Sequence, residues 1–435
     1  MKRKMIPLSD PLIHALTGEP PLAIPSVPVW LSEERHVCRD LLQNNGLPGQ
    51  GVEAWKYTDL SSINQFEWQL PSGTPAHEDI KTPPQETSDR TLHFTVLNGT
   101  YLPLPSQNIP EGVQIRTLSN PANIDCIKPV LQRTNYRLES FFAVLNRALW
   151  HDGLCITIAP DTKCNLHIHL VYGGHGSIPL LSAPRIYLKA GNHSDVALTI
   201  SQWSRDNQVA MGTACIDLDL AAGARLTYAH DQQCNQASYQ FTTTRIALGR
   251  DAYLHALDFA AGARLSRHDL SVSLQESGSE AHLNGIYLLR NRQTADFHTL
   301  IEHRKPHCKS RQVYKGVLDN NAHAVFNGLV EVHPGACGTD GYQLNRTLLR
   351  SPHAVIDTKP ELQIHNDDVR CSHGATIGQL DPMELFYLQS RSIPTNLARA
   401  MLSRAFVADL IHLQPSEYQQ HRLHQTAQNF FDQPS

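Results

Sequence analysis

The chain has 435 residues, 41% of them apolar, which is ample for two or three domains or one elongated body and excludes a disordered chain. Its formal net charge of −4 argues against an unaided binder of nucleic acid or anionic membrane, because both are held by basic fields. No run approaches about 18 consecutive apolar residues, and the opening MKRKMIPLSDPLIHALTG has a basic start without the apolar stretch of a secretory signal, so a cytoplasmic protein with no membrane span is expected.

Residues 1 to about 66 read as helical, with LSEERHVCRDLLQNNGLP carrying its apolar residues on one face and stopping at Gly46 and Pro48. EAWKYTDL follows at 53–60, where Trp55 and Tyr57 are expected to anchor a packed amphipathic segment rather than to do chemistry. PSGTPAHEDIKTPPQETSDR, residues 71–90, has the composition of a linker and closes an N-terminal helical domain at 1–90. A strand pattern begins at Leu92. It is interrupted near 136–150, where Leu138, Phe141, Phe142, Leu145 and Leu149 fall on one helical face.

After Asp152-Gly153 the chain turns to short alternating runs, among them LCITIA, LHIHLVY, VALTIS, CIDLDL, TRIALG, HLNGIYLL, AVFNGLVEV and ELQIH. Turn residues precede each fresh run. Counted through Val196, Ala224, Ala252, Ala281, Ala322 and Ala354, these corners recur every 28 to 41 residues, a spacing typical of stacked coils. A β-solenoid is the natural inference, and the irregular count leaves an ordinary sandwich open. If coils do stack, each leaning mostly on near neighbours, residues 381–435 are expected to be removable with the β part left soluble.

The nine cysteines are scattered singly without a C-x-x-C pair, so reduced, mostly buried thiols are expected. The 24 histidines form no H-E-x-x-H; His167 and His169 share strand parity and read as solvated or hydrogen-bonded surface residues. In HNDDVRCSHGATIG, Val369, Cys371, His373 and Ala375 share one parity, which turns a thiol and an imidazole the same way at roughly 6.5–7 Å along a strand. That spacing suits one metal centre or one partner surface, and equally a packed cysteine beside a hydrogen-bonded histidine. Asp381-Pro382 then caps a helix. The helix after it is apolar nearly all round, with Leu397, Met401, Leu402, Phe406 and Leu410, and is therefore buried or partner-bound; the tail from Gln414 is expected to fray. No phosphate loop, dinucleotide fingerprint or G-x-S-x-G elbow is present.

DDVRCSHGATIGQLD followed by LFYLQSRSIP resembles the SufB/SufD family of iron–sulfur cluster assembly components. The match runs through Asp367, Asp368, Cys371 to Thr376, Gly378, Gln379 and Asp381, then Leu385, Phe386, Tyr387, Arg391 and Ile393, with SHGAT closer to the SufD branch. EAWKYTDL and the helix near 136–150 also fit, whereas Ser392 stands where family members usually carry Gly. The resemblance implies a right-handed parallel β-helix at 91–377 between helical ends, with the C-terminal helical domain at 378–435. It implies a non-catalytic scaffold subunit that joins a SufB-like subunit, or a homodimer without partners, and holds no stable cofactor but a transient iron–sulfur cluster. Cys371 and His373 would lie toward the SufB-like partner, His373 taking part in the nascent cluster. Leu385, Phe386, Leu397, Met401, Leu402 and Phe406 would dock a SufC-like ABC-type ATPase. Two alternatives remain at this point: a purely structural member without ligands of its own, and a β-helix polysaccharide-active enzyme, which would require paired carboxylates on one face.

Overall fold

A computed structural model describes residues 5–17, 27–72, 91–103, 108–133, 140–173, 178–205, 208–414 and 417–432; the expected linker, from residue 73 on, lies outside them. Seven helices are described: α1 (Asp10–Thr17), α2 (Val29–Asn45), α3 (Lys128–Arg133), α4 (Phe141–Leu149), α5 (Pro382–Ser390), α6 (Thr395–His412) and α7 (Glu417–Asp432). Between the helical ends the chain winds as a parallel β-solenoid, alternating between two 10-stranded sheets. One sheet starts at Thr91–Leu97 and Lys163–Tyr172 and finishes at Val369–Gly378; the other runs from Val113–Thr117 and Gly153–Ile158 to Val355–Ile364. A sandwich of antiparallel pairs is thereby ruled out.

From Gly153 onward, residues one coil apart are 26 to 32 positions apart, from Tyr239 beside Leu265 to His323 beside Val355. The alanine count was uneven because it mixed two series. Ala224 and Ala252 precede strands of one sheet, Ala322 and Ala354 precede strands of the other, and Ala281 lies inside a strand. The regular marker is the corner residue at positive φ: Asp161, His193, Gly223, Asp251, Gly278, His307 and Gly338 succeed one another at every coil. Asp and Gly accept that left-handed conformation readily, and His with some cost.

Inward-facing Leu, Ile and Val of the two sheets form one continuous core, in which Leu166, Leu198, Leu226, Leu254 and Leu283 are 0–1% exposed. Burying each such side chain stabilises by roughly 1.5–3 kcal/mol. The outer wall of the second sheet is covered by the N-terminal segments and α4, where Phe142 stacks on Phe241 with ring centroids 3.4 Å apart. Trp55 is the expected anchor. Arg267 lies 3.9 Å over its ring, donates to the Ala54 carbonyl at 2.6 Å and pairs with buried Asp296 at 2.9 Å, while Thr58 donates to Asp296 at 2.6 Å.

α6 and α7 cover the outer wall of the first sheet. Val407, Leu410, Ile411, Leu423, Phe430 and Phe431 pack on Leu257, Phe259, Ile286, Leu288 and Val317. The tail expected to fray is therefore largely a docked helix, because Leu423, Ala427, Phe430 and Phe431 recur at helical spacing and find an apolar wall. The same packing argues against dispensable C-terminal helices: removing residues 381–435 should expose those five side chains, and the truncated chain is expected to self-associate and bind a hydrophobic dye. A monodisperse truncated chain on light scattering would show that the wall needs no cover.

The turn after α5 explains Ser392. Its backbone N–H donates to the Gln389 carbonyl at 2.9 Å, and that of Ile393 donates to Leu388 at 3.3 Å, the paired bonds of a Schellman ending. Ser392 takes φ +64, a conformation that suits Gly at this position. A glycine at this position, which the resemblance leads one to expect, would make the same left-handed turn with less strain. Ser392→Gly should stabilise the α5–α6 turn by about 0.5–1 kcal/mol, read as slower amide exchange at Ser392 and Ile393; faster exchange would refute the strain.

Candidate functional site

The last coil is built unlike the others. Val355–Ile364 and Val369–Gly378 each end a sheet, so each leaves one edge of its backbone without a neighbouring strand among the described residues. Val355, Ile364 and Ile377 are exposed there, and Pro360, which has no N–H to give a ladder, stands in the edge strand where it is tolerated. An open edge of this length is a template for another strand.

Cys371 and His373 are on this terminal strand and face the solenoid interior, as their register partners do. Cys371 stands over Gly341 and Ser310, and His373 over Gln343 and Gln312. The glycine makes the room: a Cβ at Gly341 would meet the Cys371 sulfur at 3.2 Å. Cys371 is half-buried and His373 exposed. Burial pushes the Cys371 thiol up, the Asp340 carboxylate adding to it while the backbone of Gly341 opposes. At neutral pH this thiol is protonated in the free chain, and a metal would have to displace its proton.

Below the mouth the lumen is polar. Gln343 Nε2 donates to Gln312 Oε1 at 2.7 Å, and Gln312 Nε2 donates to Thr299 Oγ1 at 2.7 Å. On the strand of Gln312, Tyr314 also points inward, and its hydroxyl donates to Asp258 at 3.4 Å. Asp258 is held between His230 Nδ1 at 2.8 Å and His268 Nδ1 at 2.7 Å, and His268 Nε2 meets Thr244 Oγ1 at 2.9 Å. Burial opposes ionisation of Asp258, but His268 and His230 outweigh it and hold its carboxyl well below the ordinary carboxylate range. Burial also lowers His230, with His268 adding to the effect. Sequence reasoning missed Gln312, Gln343 and this His–Asp–His group; the signal was a polar residue on the inward parity of an otherwise apolar strand, which becomes legible only once the coil register is known.

The expected docking residues divide. Phe386, Leu397 and Met401 are 64%, 44% and 40% exposed, and Met383 and Tyr387, which had not been assigned to the dock, are 71% and 57% exposed beside them. Leu385 and Leu402 are half-buried. Phe406 turns inward: it packs against the wall under α6, and Lys315 lies 5.2 Å over its ring while donating to its carbonyl at 2.9 Å and to Asp409 at 2.7 Å. An amphipathic reading of α6 alone could not separate these, because both its faces are apolar.

All nine cysteines are free thiols, and Cys38, Cys155, Cys164, Cys215, Cys234 and Cys308 are buried. His167 and His169 correct the surface reading, since they face outward from the sheet yet are buried. Among the described residues no helix is long and apolar enough to cross a membrane.

A family model for the SufBD core domain of SUF-system FeS cluster assembly matches residues 172–406, and one for the SufBD N-terminal region matches residues 25–170. An iron–sulfur cluster assembly SufBD family protein of Synechocystis is 31% identical over 421 residues, covering 91% of this chain and 90% of that protein. The iron–sulfur cluster assembly protein SufD of Escherichia coli is 29% identical over 371 residues, covering 85% and 86%, and SufD of Bacillus subtilis is 23% identical over 403 residues, covering 90% and 91%. Two abutting family models that span solenoid and N-terminal region, with relatives aligned nearly end to end, lead to one assignment: the chain belongs to the SufB/SufD family of iron–sulfur cluster assembly proteins.

Proposed function

We propose that the chain is the SufD-like, non-catalytic subunit of a scaffold complex that assembles iron–sulfur clusters. Its open solenoid end pairs with a SufB-like subunit, and its α5–α6 face docks a SufC-like ABC-type ATPase. The cluster is cargo, held transiently where the two solenoid ends meet. The observation that carries this reading is the terminal coil, where two unpaired strand edges frame a thiol and an imidazole on one inward face. A second solenoid end laid against these edges would satisfy their backbone groups and enclose Cys371 and His373. Thiolate and imidazole are suitable ligands for iron and for iron–sulfur units. The apolar residues exposed along α5 and the start of α6 support the docking half, because an exposed apolar patch costs free energy until a partner covers it.

His373→Ala should leave folding and partner binding intact while iron and acid-labile sulfide per purified complex fall to background. Cys371→Ala should lose less, because its thiol is protonated and partly shielded by the coil below. Wild-type cluster content in the double variant would reduce the chain to a positioning member of the complex.

The dock is tested separately. Leu397→Asp with Met401→Asp changes two exposed positions and should spare the fold. In a complex both carboxylates would be buried without a counter-charge, at several kcal/mol, so copurification of the ATPase should collapse. Retention of the ATPase by a variant with unchanged circular dichroism places the dock elsewhere.

A further inference from the structure

His93, His167 and His169 converge on the outer wall of the first sheet, far from the open mouth, and are 8%, 2% and 0% exposed. The strand register brings them together. His93 on Thr91–Leu97 sits beside His167, and His169 sits beside Ser201 on the next coil. Their neighbours Leu166, Ile168 and Leu170 take the inward parity and belong to the core, so the three imidazoles share the outward side. α7 lies near this patch: Gln419 Nε2 donates to Thr199, which is beside His167 in the register, and Arg422 pairs with Asp231 at 2.9 Å.

We infer that these three imidazoles form a binding site for one borderline divalent transition-metal ion of the zinc or ferrous class. One ring nitrogen of each lies within 4.8 Å of the other two. His93 Nδ1 and His169 Nε2 are already 3.2 Å apart, close to the roughly 3.3–3.4 Å edge of a tetrahedron with metal–nitrogen bonds of about 2.0–2.1 Å. The third nitrogen, from His167, lies within 4.8 Å of both. Ser201 Oγ meets His169 Nδ1 at 2.9 Å and His167 Nε2 at 3.1 Å, holding the rings from behind as the outer partners of metal-bound histidines do.

The protonation state fits. Burial lowers His169 to about 3, with His93 and Arg422 adding to it, and burial lowers His167 further still, with the neighbouring imidazoles and Arg422 contributing. Both rings are therefore neutral at pH 7, the form that ligates. The Arg422 charge opposes a cation, and its pairing with Asp231 offsets that. The three imidazoles also join in a hydrogen-bonded chain through Ser201 without metal, with the His93 and His169 rings stacked. What that chain does not require is three nitrogens gathered around one point. An ion there would fasten the Thr91–Leu97 strand, which arrives from the N-terminal region, to the solenoid wall.

The full chain carrying Cys371→Ala and His373→Ala, freed of metal and titrated anaerobically with Co2+, should take up one ion per chain and develop the visible ligand-field bands of four-coordinate cobalt. His93→Gln and His169→Asn, each with unchanged far-ultraviolet circular dichroism, should weaken that uptake at least about tenfold. Crystals of the unsubstituted chain grown with Zn2+ give a check that needs no variant at the trio: an anomalous difference peak should be bonded to all three rings. Undiminished cobalt bands in both folded variants would overturn the site. So would the absence of a peak at the trio in crystals saturated with zinc.

Discussion

Parallel, in-register stacking of two-strand coils is the constraint from which the rest of this structure follows. A coil alone buries only the side chains between its own two strands and leaves both backbone edges unpaired. Each added coil pairs one set of edges and opens the next, so the requirement is passed along the chain. At the N-terminal end it is met within the chain, by Val113–Thr117 lying antiparallel on Gly153–Ile158 and by the strand pair Thr91–Leu97 and Thr100–Leu102. At the other end nothing among the described residues closes Val355–Ile364 or Val369–Gly378. On the function proposed above, cluster assembly would take place at this unpaired end, beside Cys371 and His373.

Stacking also fixes where the helical ends must go. Both sheets carry apolar residues on their outer faces, and each helical region covers one of them. Each cover is pinned by charge as well as by packing. The N-terminal side uses Arg267, shared between Trp55 and Asp296; the C-terminal side uses Lys315, shared between Phe406 and Asp409. Arg267 and Asp296 are both fully enclosed, and a pair of this kind is costly to break because either partner alone would be a bare buried charge. These contacts position the helices against the solenoid and leave the apolar side of α5 and the first turns of α6 facing outward.

The interior changes in character along the axis. Aliphatic residues dominate the N-terminal coils, with Tyr172 and Gln202 already turned inward; from Tyr228 onward tyrosine, histidine, aspartate and glutamine take more of the inward positions, ending in Gln343 below His373. Asp258 stays ionised in this setting only because two imidazoles flank it. An interior with hydrogen-bonding groups directed toward an open mouth tolerates a polar occupant at that mouth far better than an aliphatic one would.

The sequence by itself determined a mainly β core between helical ends; its alternation left a sandwich open beside the solenoid, and the family resemblance pointed to the parallel β-helix and to the candidate site. Alternating parity from Asp152 to Ile377 dictated strands, turn residues recurring every 28 to 41 positions suggested stacked coils, and Cys371 and His373 shared a face because a strand has a period of two. Local rules also gave the α5 cap at Asp381, and the family resemblance drew attention to Ser392. What they could not supply was anything that depends on which coil lies over which. The alanine count mixed two sheets, since a corner reads alike whichever sheet follows it. The burial of His167 and His169, the His230–Asp258–His268 group and the docking of α7 all rest on residues brought together across tens to hundreds of positions. Likewise Phe406 and Met401 are indistinguishable as apolar residues of one helix, and only the solenoid wall beneath α6 decides that one packs inward and the other remains exposed.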